Sequence, residues 1–323
     1  MLGFCLLSTN QTDLAVGGGS YGKILFFNNF FFITIFLTSC GGGTSDQGTG
    51  VLAVQVTDAK VDEAQAVVLH YTQVTIHGDQ GDIVVPVHDP DTGGPGRSIN
   101  LLDYTNGNST ELFEHSLPAG HYSWMRLDVD FDPSQSYIEI DGGMHPMNCT
   151  SCQNNGVMLN HSFTIGTDQT TAFTLDFDLR SSITMANGMH YIRPTVRVID
   201  TAASGNISGS VDPTLITSLG SDGTGCAVYV FDGENATLDD IYMTMGGMMS
   251  GMHHNPVITA MVDPDTLTYT AGFMPAGMYT VALTCDAMRD ITDSDDTLMF
   301  TGATNVPVMA GQTYMVNFSG GGS

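Results

Sequence analysis

The stretch Thr170-Thr-Ala-Phe-Thr-Leu-Asp-Phe-Asp-Leu-Arg180 alternates apolar and polar side chains through most of its length. Successive side chains of a β-strand point to opposite faces, so this period of two predicts a strand. The apolar side chains expected to face a core are Phe173, Leu175, Phe177 and Leu179. The charged side chains expected to face outward are Asp176, Asp178 and Arg180. One face of the resulting sheet should therefore be buried and the other solvated.

The chain beyond residue 50 continues in the same manner, with short alternating or apolar runs separated by turn-forming residues. No stretch keeps a helical period over about 12 residues. Charged residues make up 13% of the chain, unlike the composition of long helices. We predict an all-β chain with two tandem antiparallel β-sandwich domains, immunoglobulin-like or transthyretin-like, at residues 50–200 and 205–319.

A repeated phrase links the two predicted domains. Leu117-Pro-Ala-Gly-His-Tyr-Ser123 recurs as Met274-Pro-Ala-Gly-Met-Tyr-Thr280. Proline fixes φ in a turn and glycine frees the backbone after it, so each copy predicts a turn that leads into a strand. The phrase resembles one in transthyretin-like, carboxypeptidase-regulatory and collagen-adhesin B-type sandwiches. It carries no chemistry of its own.

The N-terminal region has the parts of a bacterial lipoprotein signal. Lys23 precedes an apolar run over residues 24–37, which ends in Leu37-Thr-Ser-Cys40. This ending resembles a lipobox, so we predict a signal peptide at residues 1–39 and a lipid anchor on Cys40. Residues 40–49 are Gly- and Ser-rich and predict a flexible tether. Gly41 after the cysteine favours the outer membrane or the cell surface; the alternative is an uncleaved transmembrane anchor.

Charge and cysteine content restrict the function classes. The formal net charge is −26, which repels phosphate backbones and argues against a nucleic-acid partner. Beyond Cys40 the chain has an even number of cysteines, which favours disulfides in an exported protein. We expect Cys226 and Cys285 to join two strands of one sandwich. For Cys149 and Cys152 we favour a structural loop disulfide over a redox motif, because no strand–helix pattern surrounds them.

Several separated motifs resemble the family called domain of unknown function 4382. They lie at residues 56–64, 99–103, 117–122, 126–129, 176–180 and 193–197, and the resemblance covers about residues 50–200. Lys60 departs from the family, where this position is more often proline. The resemblance implies a lipoprotein or secreted β domain, often followed by a second sandwich. It implies no established activity.

One candidate site is the charged cluster of the first domain. It comprises Asp176, Asp178, Arg180, Arg193 and Arg197. Carboxylate–guanidinium pairs could line a polar groove for a glycan or a cation. We favour the simpler interpretation, a cross-strand ion-pair ladder on a solvated face. A glycosidase would need two carboxylates at a defined separation, which the sequence does not reveal.

Two further stretches offer metal ligands. A Gly-rich loop carries Met243, Met245, Met248, Met249 and Met252, followed by His253 and His254. Thioether and imidazole ligands suit copper, although methionine also fills apolar gaps. Residues 290–296 and 263–265 are acidic loops whose carboxylates suit calcium, but their spacing is not that of an EF-hand. A solvated acidic turn is the alternative.

These patterns predict a membrane-anchored, extracytoplasmic lipoprotein that acts as a binding or structural, adhesin-like module. No stretch of the sequence presents an evident catalytic set. The alternative function is an envelope metal-binding protein that uses copper or calcium. The expected partners are the membrane, through the lipid anchor, and a glycan or an envelope protein.

Overall fold

A computed structural model of the chain describes residues 48–58, 64–152, 156–186, 188–242, 253–292 and 294–320. The predicted signal peptide, Cys40 and most of the tether lie outside these residues. Within the described part of the chain, no helix is long and apolar enough to cross a membrane.

Strands dominate the structure, which confirms the predicted all-β class. The first unit, residues 48–200, contains β1 (Thr49–Asp58), β2 (Ala66–Gly78), β3 (Gly81–Pro86), β4 (Arg97–Asn100), β5 (Thr110–Pro118), β6 (Gly120–Asp130), β7 (Tyr137–Ile140), β8 (Gly143–Asn148), β9 (Val157–Leu159), β10 (Phe163–Ile165), β11 (Thr170–Phe177), the short helix α1 (Leu179–Ser182), β12 (Ile183–Ala186), β13 (Met189–Ile192) and β14 (Val196–Asp200). The second unit, residues 204–320, contains β15 (Ser204–Ser210), the helix α2 (Pro213–Ser218), β16 (Ala227–Asp232), β17 (Ile258–Met261), β18 (Thr268–Pro275), β19 (Gly277–Thr284), β20 (Thr301–Val308) and β21 (Thr313–Met315).

Each unit is built from two sheets. In the first unit, one sheet has the order β14-β11-β1-β5, and the other runs β10-β6-β2-β7-β8-β13-β12 with β3, β4 and β9 added beside it. In the second unit the orders are β18-β15-β21 and β17-β16-β19-β20. Most neighbours are antiparallel, but β1 with β11, β8 with β13, and β15 with β21 run parallel. Every strand pair described joins strands of the same unit.

The apolar side chains of the alternating strands fill the cores. In the first unit, Leu52, Val74, Met125 and Leu175 are almost completely buried and belong to one cluster. The second unit has its own clusters, with Val228, Val230, Val281 and Leu283 at the centre of the larger one. Alternation therefore decides which side chains of the half-buried strands meet a core, whereas β11, β16 and β19 are buried on both faces.

The repeated proline–glycine phrase forms the same structure in both units. β5 ends at Pro118 and β6 begins at Gly120, while β18 ends at Pro275 and β19 begins at Gly277. In each copy the tyrosine hydroxyl donates to the proline carbonyl four residues earlier, at 2.8 Å from Tyr122 and 2.9 Å from Tyr279. The predicted turn into a strand is confirmed, and the tyrosine closes it.

Both predicted disulfides are present. Cys149 is bonded to Cys152 in the loop after β8, and Cys226 is bonded to Cys285. The second bond joins neighbouring antiparallel strands, because Ala227 of β16 is paired with Thr284 of β19. It therefore links the ends of two neighbouring strands, which agrees with the predicted link between two strands of one sandwich.

Candidate functional site

The predicted charged cluster is divided in the structure. Asp176 on β11 is paired in register with Arg197 on β14, and the Arg197 Nε donates to the Asp176 carboxylate at 3.0 Å. The expectation of a solvated face is wrong, since Asp176 is only 2% exposed. The second unit covers this face: Asp176 and Thr57 line a small cavity together with Thr259 and Thr270 of the second unit. Burial raises the pKa of Asp176, while the Arg197 guanidinium opposes the increase.

The strand also ends earlier than the alternation predicts. Asp178 caps the short helix α1, where its carboxylate accepts from the backbone N–H of Ser181 at 3.0 Å and from the Ser181 hydroxyl at 2.6 Å. The helical turn rotates Arg180 into the interior, where its side chain is 6% exposed. Arg193 is exposed and follows β13. The five residues therefore do not form the polar groove that was one interpretation of the sequence.

Arg180 instead joins the two units. Its Nη1 donates to the Tyr229 hydroxyl at 3.2 Å, and its Nη2 donates to the carbonyl of Ala287 at 2.6 Å. Nη2 also lies 3.9 Å from Oδ2 of Asp290, whose side chain is fully buried. The Tyr229 hydroxyl donates to the same carboxylate. A residue of the first unit is thus held by three residues of the second.

Behind this contact lies the acidic centre, formed by Asp240, Asp290 and Asp296. Each residue offers one carboxylate oxygen, and the three oxygens lie within 4.8 Å of one another. Backbone N–H groups hold all three carboxylates: Asp290 Oδ1 accepts from Ile241 N at 3.1 Å, and Asp296 Oδ2 accepts from Ile291 N at 2.7 Å. Asp240 Oδ2 accepts from the backbone N–H of Asp296.

The electrostatics of the acidic centre favour a cation. Asp240 is 1% exposed, and its Oδ1 is buried without a hydrogen-bond partner among the residues that the structure describes. Burial, the largest cause, and the nearby Asp239 and Asp290 carboxylates together raise the pKa of Asp240 to about 6, although the hydrogen bond from the backbone of Asp296 opposes the increase. Calcium binds carboxylate oxygens at about 2.3–2.6 Å, so one ion fits among three oxygens at this spacing. The residues present therefore suit a hard divalent cation.

The sequence identified part of this centre. Asp290 and Asp296 belong to the acidic loop proposed for calcium, whereas Asp240 was missed because it lies in another loop, far away in the chain. In the other acidic loop, Asp263 Oδ1 accepts from the backbone N–H groups of Asp265 and Thr266 and so stabilises a turn.

The base of the Met-rich loop adjoins the acidic centre. Asn255 exchanges side-chain hydrogen bonds with the backbone of Tyr242, both at 3.0 Å, and so joins the two ends of the loop. His253 lies 4.4 Å from the Tyr242 ring, and its Nδ1 lies 3.8 Å from the Asp239 carboxylate. His254 is exposed. The methionines from Met243 to Met252 lie outside the described residues, so the copper site stays a prediction.

The match to a known family covers only the first unit. Residues 49–194 match the family of domains of unknown function DUF4382, which confirms the resemblance seen in the motifs. No curated protein matches the sequence.

Three solved structures illustrate the structural likeness. The Bacillus anthracis TIE protein is 10% identical; the match covers 84% of this chain and 34% of that one, with a TM-score of 0.19. The minor pilin GBS52 of Streptococcus agalactiae is 10% identical over 83% of this chain and 94% of that one, with a TM-score of 0.20. BF2867 of Bacteroides fragilis, described as a putative cell adhesion protein, is 11% identical over 83% of this chain and 92% of that one, with a TM-score of 0.21. This chain thus spans about a third of the TIE protein, and scores this low carry no argument about function.

Proposed function

We propose that this chain is a lipid-anchored lipoprotein of the outer membrane or cell surface, where it acts as a binding and structural module. The observation that carries the proposal is the pairing of all four cysteines beyond Cys40 in two disulfide bonds. Such bonds persist in oxidising compartments outside the cytoplasm. The lipobox sequence supplies a lipid anchor, and the flexible Gly-rich tether lets the folded units extend away from the membrane.

The buried contact between the two units supports a structural role. Arg180 is buried at their junction and holds Tyr229, Ala287 and Asp290 of the second unit. A Gly–Gly contact brings the backbones close: a Cβ placed on Gly272 would lie 2.6 Å from the Cα of Gly107. The module would therefore present its surfaces in a fixed relation, as a surface adhesin or scaffold requires.

Replacing Cys40 with serine tests the anchor. We expect the variant to lose incorporation of labelled palmitate and to move from the detergent phase to the aqueous phase when cells are extracted, because the acyl chains supply the membrane affinity. Cys5→Ser is the matched control, since Cys5 lies upstream of the predicted cleavage site. Protease treatment of intact cells then reports surface exposure. A Cys40→Ser protein that stays in the detergent phase would contradict the proposal.

The acidic centre favours calcium binding as a second function. Three carboxylates converge, one buried oxygen among them has no hydrogen-bond partner within the described part of the chain, and Arg180 offsets only part of their charge. A bound divalent cation would compensate the remaining repulsion and complete the coordination of Asp240. Because the centre lies beside the junction of the units, calcium would stabilise the joined form of the module.

Calcium titration of the chelator-treated protein tests this function. We expect binding by calorimetry, with about 2.7 kcal/mol of added stability at a free calcium concentration one hundred times the Kd. Asp240→Asn should abolish the response without unfolding the calcium-free protein, because it removes one of three repelling charges. Asp295→Asn, at an exposed neighbouring position, is the control. Equal calcium binding by wild type and Asp240→Asn would exclude the acidic centre.

A further inference from the structure

The outer face of the ten-stranded sheet carries a regular array of aromatic and polar side chains. On β2 and β6 the inward residues Val74, Ile76, Met125 and Leu127 are buried, so their neighbours in the strand point to the opposite face. The register places His77 beside Trp124, Thr75 beside Arg126 and Gln73 beside Asp128. We call this face the β2–β6 platform.

Trp124 and His77 form the aromatic end of the platform. Their rings are parallel within 5° and their centroids are 4.9 Å apart. The His77 Nδ1 lies 2.5 Å from Asp82 Oδ1 on β3, which fixes the imidazole, and the imidazole in turn holds the indole. The His77 side chain remains 41% exposed. Trp124 is partly exposed and is the only tryptophan of the chain.

The other end is a preorganised set of hydrogen-bonding groups. Asp128 accepts from Gln73 Nε2 at 2.5 Å, and its Oδ1 lies 2.7 Å from Arg126 Nε. Arg126 also donates to the Thr75 hydroxyl at 3.1 Å. The side chains of Arg126 and Asp128 are 28% and 23% exposed, so both reach solvent while their positions are fixed. Met158 on β9 and Val84 on β3 flank the array and are 38% and 50% exposed.

We propose that the β2–β6 platform binds a neutral oligosaccharide. Sugars present apolar C–H surfaces to aromatic rings and hydroxyl groups to planar polar side chains, and both kinds of partner stand side by side here. Arg126 and Asp128 neutralise each other, and the chain carries a net charge of −26, so an acidic sugar is disfavoured. The platform thus assigns a ligand class to the proposed binding function, on which it rests.

Intrinsic fluorescence tests the platform directly, because all tryptophan emission comes from Trp124. The full chain, purified in detergent, is titrated with cellohexaose, xylohexaose, mannohexaose and chitohexaose, and with hexagalacturonate as the acidic comparison. We expect at least one neutral sugar to shift the emission saturably. By calorimetry, Trp124→Ala should weaken its binding by about tenfold or more. Asp128→Asn keeps the fluorophore, so its weaker binding of the same sugar should be measurable by fluorescence titration.

His115→Ala is the matched control, since His115 is exposed on β5 of the other sheet of the same unit. It should bind as the wild type does. The proposal is overturned if none of the neutral sugars binds, if Trp124→Ala binds one as tightly as the wild type, or if hexagalacturonate binds best. These results are independent of the Cys40→Ser fractionation, so failure of the sugar site is distinguishable from failure of the anchor.

Discussion

Replacing Arg180 with alanine is expected to lower the free energy of unfolding by about 3–5 kcal/mol. The substitution leaves the carboxylate of Asp290 in the interior without its cation, although the Asp290 side chain has no exposure to solvent. The Tyr229 hydroxyl and the Ala287 carbonyl also lose a donor. A buried charge without compensation is among the few causes of destabilisation this large. Denaturant-induced unfolding followed by circular dichroism measures the effect.

Arg193→Ala is the control for this prediction, because Arg193 is an exposed arginine of the same segment. Its effect should stay within about 0.5 kcal/mol. A double-mutant cycle between Arg180→Ala and Asp290→Ala should give a coupling energy of about 0.5–3 kcal/mol, since the two residues share one network. Strict additivity would show that the two side chains do not stabilise the junction together.

The buried position of Arg180 could not be predicted from the sequence. The alternation in β11 correctly placed Phe173, Leu175 and Phe177 in the core. It could not show that Asp178 would cap a helical turn, because a capping aspartate and an outward strand aspartate look alike in sequence. It also could not show that the second unit would cover the other face of β11. Burial of a second face is a tertiary property, which strand periodicity does not encode.

Features that depend on local chemistry were predicted better. The proline–glycine phrases gave the turns before β6 and β19, because proline and glycine restrict the backbone directly. The acidic centre was predicted in part, because Asp290 and Asp296 are close in sequence whereas Asp240 comes from a separate loop. Trp124, Arg126 and Asp128 alternate with apolar residues along the chain. The sequence does not show their pairing with β2, since register is set by the folded sheet.

Removing the Cys226–Cys285 bond is expected to lower the free energy of unfolding by about 4 kcal/mol, on the loop-entropy estimate. The bond joins cysteines that are 59 positions apart, so its loss frees a long loop in the unfolded chain. The double variant Cys226→Ala/Cys285→Ala measures this without leaving a free thiol. Unfolding is followed in denaturant under oxidising conditions, where the wild type keeps the bond.

The second disulfide provides the matched comparison, because Cys149 and Cys152 are only 3 positions apart. The same loop-entropy estimate gives about 2 kcal/mol for Cys149→Ala/Cys152→Ala, roughly half the effect of the long-range bond. Reducing agent added to the wild type should produce at least the larger loss, since it breaks both bonds. Equal losses from the two double variants would show that loop length does not govern stabilisation here. The Cys226–Cys285 bond would then act through packing between β16 and β19 in the folded protein, rather than by restricting the unfolded chain.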